Sequence, residues 1–411
     1  MEGFMKKKPV MGAMSDMEIG STMEPTATME AKPTMEAKPT METASTMEPK
    51  STMETKSTME TNMYNLLMAA RELGASDLHI TVGIKPKCRI RGALCEMSAF
   101  EKIMPEKSKE LVESMMKESQ KMVMEERGEL DFAYAINEVG RFRVNAFKQR
   151  GSYAAVLRLI NTTIPSAESL GIPHHVVELT KKKRGLVLVT GPTGSGKSTT
   201  LASLIDIINS EKNVHIITLE DPIEYLHNHK KAIVNQREIG IDTDSYGAAL
   251  RSALREDPDI ILVGEMRDLD TISTAVTAAE TGHLVFSTLH TIGAAPTIER
   301  IIDVFPPHQQ DQIRVQLASV LEAVISQQLL PRADVKGRVA AFEVMFGTPA
   351  IKNLIREDKT HQLPSIIQTS KKNGMVTMDD SLFDLYIKHK ISADSAVEFA
   401  QDDIKMRGKL F

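Results

Sequence analysis

Two rhythms of hydrophobic and polar positions divide this chain. Across residues 77–82 (DLHITV), Leu78, Ile80 and Val82 alternate with polar neighbours, the period-two signature of a strand with one covered face. Residues 85–92 (KPKCRIRG) continue it. DFAYAI, GRFRVNAF and YAAVLRLI, within residues 131–160, predict three more strands set apart by glycine turns at Gly140 and Gly151. Residues 64–74 (YNLLMAARELG) read as a short amphipathic helix closed by glycine, and a helical stretch is expected through about Arg127. The pattern is α+β with a largely antiparallel sheet, ending near Ile160. After residues 161–173, which contain Pro165 and Pro173, the rhythm changes. Residues 186–190 (LVLVT), 215–219 (HIITL), 259–263 (DIILV) and 284–289 are short, apolar and not alternating. That is the texture of a parallel α/β sheet covered on both faces. The last fifty or so residues read helical, with apolar residues at three- and four-residue spacing in residues 381–388 (SLFDLYIK) and 393–399.

Residues 1–62 follow neither rhythm. Thr-Met-Glu begins at Thr22, Thr28, Thr34, Thr40, Thr46, Thr52 and Thr58, a period of six with filler of Ala, Lys, Pro, Ser and Thr. The repeat has no branched aliphatic residue, so it cannot bury enough surface to offset its ordering entropy. Disorder is expected there, either as a tether or as a stretch upstream of a start at Met63. The expected organisation is a low-complexity repeat over 1–62, an α+β domain over 63–160, a linker over 161–175, an α/β domain over 176–360 and C-terminal helices over 361–411.

Composition narrows the partners. Hydrophobic residues make up 42% and charged residues 26%, with a formal net charge of -5, which does not fit a protein held mainly on nucleic acid. Lys181, Lys182, Lys183 and Arg184 read as a solvated element end. The two cysteines, Cys88 and Cys95, match neither a zinc ribbon nor a disulfide framework, so a reduced cytoplasmic setting is expected. No apolar run approaches the roughly 18–20 residues that span a bilayer, and no apolar region follows the basic N-terminus as a secretory signal requires.

The chemistry is concentrated after LVLVT. Gly191-Pro192-Thr193-Gly194-Ser195-Gly196-Lys197-Ser198, followed by Thr199, matches G-x-x-x-x-G-K-[ST] in full. The preceding strand and a following helix with Leu201, Leu204, Ile205 and Ile208 on one face supply the context that this motif needs. The glycines let the backbone curl around an anion at a helix N-terminus. Lys197 would reach the β- and γ-phosphates of ATP, and Ser198 would ligate Mg²⁺. Two acidic clusters at strand ends supply candidates to hold metal and orient water: Glu220, Asp221 and Glu224 in LEDPIEY, and Glu265 in DIILVGEMRD. His283 and His290 flank the apolar run in TGHLVFSTLHT. Seven residues apart on a regular strand, they face opposite sides, so one of them is expected at phosphate and the other in a supporting role.

GPTGSGKST, EDPIEY, GEMRD and TGHLVFSTLHT, in that order, resemble the P-loop, Asp box, Walker B and His box of secretion-type ATPases. ASDLHIT, VNQREIG, ALREDPDIILVGEMRD and AIKNLIRE further resemble the type IV pilus retraction ATPases, PilT-like. The resemblance runs from about Met63 to the C-terminus and implies a PAS-like α+β domain followed by a RecA-like ATPase domain with a helical C-terminus. It also implies a homo-hexamer with ATP and Mg²⁺ held between subunits, docked on an inner-membrane pilus platform protein in the cytoplasm. Glu224 matches the residue that positions water, and Glu265 the residue that supports Mg²⁺ through water. His290 matches the histidine favoured at the γ-phosphate, and His283 its partner in the box. Arg143 and Arg158 match the arginines supplied in trans. Assembly and secretion relatives often carry a four-cysteine zinc module after the His box, and no cysteine follows Cys95. AIKNLIRE departs from the family's AIRNLIRE at Lys352, and SLFDLYIKHKIS resembles the accessory retraction paralogue, PilU-like. Assembly or secretion ATPase, accessory paralogue, nucleic-acid motor and non-hydrolysing adaptor are the alternatives to a retraction motor.

Overall fold

The computed structural model describes residues 59–90, 92–160 and 163–410; the six-residue repeat lies outside them apart from its last residues. The first sheet is built by α1 (Met63–Glu72), β1 (Asp77–Ile80), β2 (Lys87–Ile90), β3 (Ala93–Glu96), α2 (Pro105–Glu113), α3 (Glu118–Arg127), β4 (Glu129–Ile136), β5 (Gly140–Gln149) and β6 (Ser152–Ile160). Its strand order is β3-β2-β1-β6-β5-β4, and each neighbouring pair is antiparallel. The helices cover one face, where Leu66, Leu67, Leu78, Phe100, Leu111, Met124 and Leu157 are buried together. One expectation is corrected here. The stretch after the second strand is not helical throughout, because residues 93–96 return as β3, setting Cys95 opposite Cys88 with both thiols free. Three of the four β3 residues are exposed, so no apolar alternation marks it as a strand.

The second sheet follows α4 (His174–Val177). Its parallel part is made by β7 (Gly185–Thr190), α5 (Lys197–Glu211), β8 (His215–Glu220), β9 (Ile233–Glu238), α6 (Tyr246–Ala253), β10 (Ile260–Val263), α7 (Leu269–Glu280) and β11 (Leu284–Leu289). Then come α8 (Ala294–Asp303), α9 (Pro307–Val320), β12 (Leu321–Pro331) and β13 (Arg338–Phe346). The order is β13-β12-β7-β11-β10-β8-β9, parallel except for the β12–β13 hairpin. All positions of β7, β10 and β11 are buried. Leu186 and Leu188 enter the core under α6, α7, α8 and α9, while Val187 and Val189 enter the core under α5, as a doubly covered sheet requires. The four expected strands are all present. β9, β12 and β13 had no strand signal of their own: β9 is a half-exposed edge, and β12 carries Ser326, Gln327 and Gln328 at its centre.

The chain ends in α10 (Pro349–Arg356), α11 (Leu363–Thr369), α12 (Met378–Ile387), α13 (Ala393–Glu398) and α14 (Asp403–Leu410). Side-chain caps set several helix starts: Asp268 accepts from Thr271 N–H at 2.9 Å, and Thr348, Thr377 and Ser392 do the same for α10, α12 and α13. Met378, Leu382, Ala396, Val397 and Met406 pack the last helices on Leu330 and Ala341 of the β12–β13 hairpin. No helix among the described residues is long and apolar enough to cross a membrane.

Candidate nucleotide site

β7 delivers the glycine-rich loop to the C-terminal edge of the sheet, where α/β sheets bind ligands. Gly191, Gly194 and Gly196 take φ of +140°, +82° and +91°, the region that glycine enters without a Cβ penalty. At Gly191 the need is also spatial, since a Cβ there would stand 2.2 Å from the Gln327 carbonyl oxygen. Gly196 is the N-cap of α5, whose first residue is Lys197. The Lys197 ammonium is buried and donates to the carbonyls of Gly191 at 2.8 Å and Pro192 at 3.1 Å. Burial pushes its pKa down, opposed by the charges of Glu265 and Glu224. Behind the loop, Thr200 donates its hydroxyl to Gln327 Oε1 at 2.8 Å, tying α5 to β12.

A cleft of about 510 Å³ opens over this loop. Thr193, Gly194, Gly196, Lys197, Ser198 and Thr199 form its floor, and Glu220, Asp221, Glu224, Glu265 and His290 its acidic and imidazole wall. Glu220 ends β8 and accepts from Thr218 Oγ1 at 2.6 Å and Gln236 Nε2 at 3.1 Å; burial pushes its pKa up. The Asp221–Pro222 peptide is cis, and the turn then presents Glu224 exposed to the cleft. Glu265 follows Gly264, whose N–H donates to Leu219 O at 2.7 Å and whose carbonyl accepts from Thr288 Oγ1 at 2.6 Å. These bonds hang Glu265 from three adjacent strands. Its carboxylate meets Arg267 Nη2 at 2.7 Å and His290 Nε2 at 3.1 Å. Burial pushes the Glu265 pKa up, but the Arg267 hydrogen bond and the His290 charge outweigh it and hold it below the usual value.

The histidines part company along β11. His290, just past its C-terminal end, bridges Glu265 and the loop, with Nδ1 at 3.4 Å from Thr193 Oγ1. His283, just before its N-terminal end, has Nδ1 2.9 Å from Ala278 O and stands against the end of α7. Six strand residues lie between them, roughly 20 Å at the strand rise. His283, grouped with the nucleotide-binding residues as the other member of the His box, does not line the cleft, so of the two histidines only His290 stands at the loop. The two rings are separated by strand length as well as by face.

Arg143 and Arg158 also lie away from this cleft. They are cross-strand neighbours on β5 and β6. Arg158 Nε is 2.9 Å from Asp77 Oδ1 with its side chain 71% exposed, and Arg143 Nε is 3.9 Å from Asp131 Oδ1. Both remain accessible to a neighbouring molecule. Arg267, Tyr246, Gln236 and Gln327 were not singled out from the sequence. Only Arg267 carried a usable signal, its place in GEMRD two residues after the Walker B acid. Lys352 donates to Ser319 O at 3.1 Å and stands 4.0 Å from Glu322, so lysine makes an intramolecular tie there.

Hard oxygen donors suit Mg²⁺, and the Ser198 hydroxyl and Glu265 carboxylate border the same cleft. No cluster of three or more His, Cys, Asp or Glu among the described residues would form an all-protein metal cage.

Residues 52–355 match the family described as Type II/IV secretion system protein. The type IV pilus retraction ATPase PilT of Pseudomonas aeruginosa is 50% identical over 339 residues, 82% of this chain and 97% of that protein. A twitching motility protein of Neisseria gonorrhoeae is 48% identical over 325 residues, 78% of this chain and 86% of its own length. A crystal structure of the pilus retraction motor PilT with bound ADP aligns with a TM-score of 0.80 at 50% identity, covering 85% of this chain and 100% of that one. Because the family match spans most of the sequence and carries the loop, both acidic strand ends and His290 within it, the chain belongs to the type II/IV secretion system protein family.

Proposed function

We propose that this chain is an ATP-hydrolysing motor that retracts type IV pili and so drives twitching motility. The observation that carries the reading is the convergence of Lys197, Glu224, Glu265 and His290 on one cleft over a complete P-loop. The loop glycines and Lys197 hold the β- and γ-phosphates of ATP, and leaving the carbonyls of Gly191 and Pro192 frees the Lys197 ammonium for them. Ser198 would hold Mg²⁺ directly and Glu265 would support it through water, and the ion would supply positive charge against the charge that develops on the phosphates. Glu224 orients the attacking water. His290 senses the γ-phosphate, since its ring lies between Thr193 of the loop and Glu265.

Arg143 and Arg158 face solvent on the N-terminal sheet, which suits donation to a site on the next subunit of a homo-hexamer. The working unit is thus an α+β domain over 63–160 and an ATPase domain over 176–360 from neighbouring chains. It works in the cytoplasm at the base of the pilus, against an inner-membrane platform protein and alongside a paralogous pilus ATPase. Both the 50% identical protein and the aligned structure are named for retraction, which favours retraction over assembly.

Two experiments test this. Purified chain should hydrolyse ATP well above its Lys197→Ala variant; equal rates would remove the enzyme reading. A strain whose single copy carries Glu224→Gln should be heavily piliated and unable to twitch. A bald cell would make this an assembly ATPase, and unchanged pili and motility would make it an accessory paralogue.

A further inference from the structure

Glu343 is a carboxylate with no part in the cleft, only 4% exposed on β13. Three donors reach it from separate parts of the chain. Oε1 accepts from the Ala294 N–H at 2.7 Å, at the start of α8. Oε2 accepts from the Met378 N–H at 3.2 Å, at the start of α12, and from Gln401 Nε2 at 3.1 Å, between α13 and α14. Its cross-strand partner on β12 is Ser326, whose Oγ accepts from the Gly293 N–H at 2.9 Å. One pair of facing side chains therefore takes the consecutive N–H groups of Gly293 and Ala294.

Those two residues close the short segment that begins at His290. One end of the segment is fixed by β11 and the other by Ser326 and Glu343. Thr291 adds a hydroxyl contact to Thr297 at 2.7 Å, inside α8. With both ends anchored, His290 has little freedom to leave Glu265 and Thr193. We infer that Glu343 is a positioning residue for His290, and that through it the C-terminal helices α12–α14 set the stance of the histidine at the nucleotide. Burial pushes the Glu343 pKa up, while its three donors favour the ionised form; a neutral amide in its place keeps the volume and loses one acceptor. The inference rests on His290 acting at the nucleotide, as proposed above.

The test is steady-state ATP hydrolysis by the full chain carrying Glu343→Gln, His290→Ala, both together, or Gln401→Ala. Small displacements of a reacting group cost up to about a hundredfold. Glu343→Gln should lower kcat about tenfold or more, with KM for ATP changed less than about twofold. In the His290→Ala background it should add almost nothing, because both changes remove one contribution. Gln401→Ala, which removes only the C-terminal donor, should show a smaller loss of kcat that also disappears without His290. Full kcat in Glu343→Gln, or losses that multiply with His290→Ala, would overturn the positioning role. If Glu343→Gln fails to fold, Gln401→Ala alone decides, and unchanged kcat at an unchanged melting temperature rejects the link. Wild-type chain no more active than Lys197→Ala would instead remove the underlying ATPase reading.

Discussion

Glu265 answers to an arginine and a histidine, and that controls its response to acid. Burial alone would raise its pKa, yet Arg267 and His290 hold it below the usual carboxylate range. It therefore stays ionised above its ordinary value, and its favourable interactions are lost only as pH falls through the lower folded value. Arg267→Ala removes the hydrogen bond that is the largest single influence lowering the Glu265 pKa. The acid limb of the kcat/KM profile should then move to higher pH; an unmoved limb would mean that Glu265 is not the group titrating. His227, also lining the cleft, behaves differently. Burial pushes its pKa down to about 4, so the folded ring is neutral while the unfolded one protonates near its ordinary value. Stability is complete above that value and is lost as pH falls toward 4, on the order of 3 kcal/mol in total. Denaturant unfolding at pH 7 and pH 4.5 should show this slope in the wild-type chain and a flatter one in His227→Gln.

The glycine loop separates two costs at the level of elements. Gly194 has open space around its missing Cβ, whereas Gly191 would drive a methyl to 2.2 Å from a backbone oxygen of β12. Both have positive φ, so alanine strains each at about 1 kcal/mol or more. Only Gly191→Ala must also part the loop from its neighbouring strand. Fluorescent-nucleotide titration should find Gly191→Ala unable to bind and Gly194→Ala weakened; equal effects would mean that loop conformation, and not its seat on β12, sets affinity. The same seat explains what the sequence concealed. β7, β8, β10 and β11 announce themselves because both their faces are dry. β12 does not, because Ser326, Gln327 and Gln328 are buried for the contacts that they make. The P-loop and both acidic strand ends were legible as local motifs. The bond from His290 to Glu265 was not, since it depends on β10 and β11 lying side by side.

For the whole molecule, the decisive point is that Arg143 and Arg158 stand outside their own chain's cleft. If they serve a neighbour's site, two inactive chains can repair each other. Arg158→Ala subunits keep an intact P-loop, and Lys197→Ala subunits keep both arginines. Mixing the two should restore part of the ATPase activity that neither has alone, and light scattering should find the active species to be a hexamer. Mixtures with no more activity than their components would confine every catalytic group to one chain.

The run of buried polar residues in β12 also bears on how this strand can change length over generations. Gln327 looks toward α5, while Ser326 and Gln328 look toward α8 and α13. Because strand side chains alternate, adding or removing one residue upstream would turn all three about face. Such a change would offer an amide to each oily layer and strip the loop, the His290 segment and the C-terminal helices of their partners together. Two residues at a time restore the facing. The pairing of β12 with β7 already holds one irregularity, between Leu321 and Ala323, and there alone a single-residue change can be absorbed by relaxing the bulge. A deletion library across residues 321–331 should therefore return survivors by parity, with Glu322 as the exception.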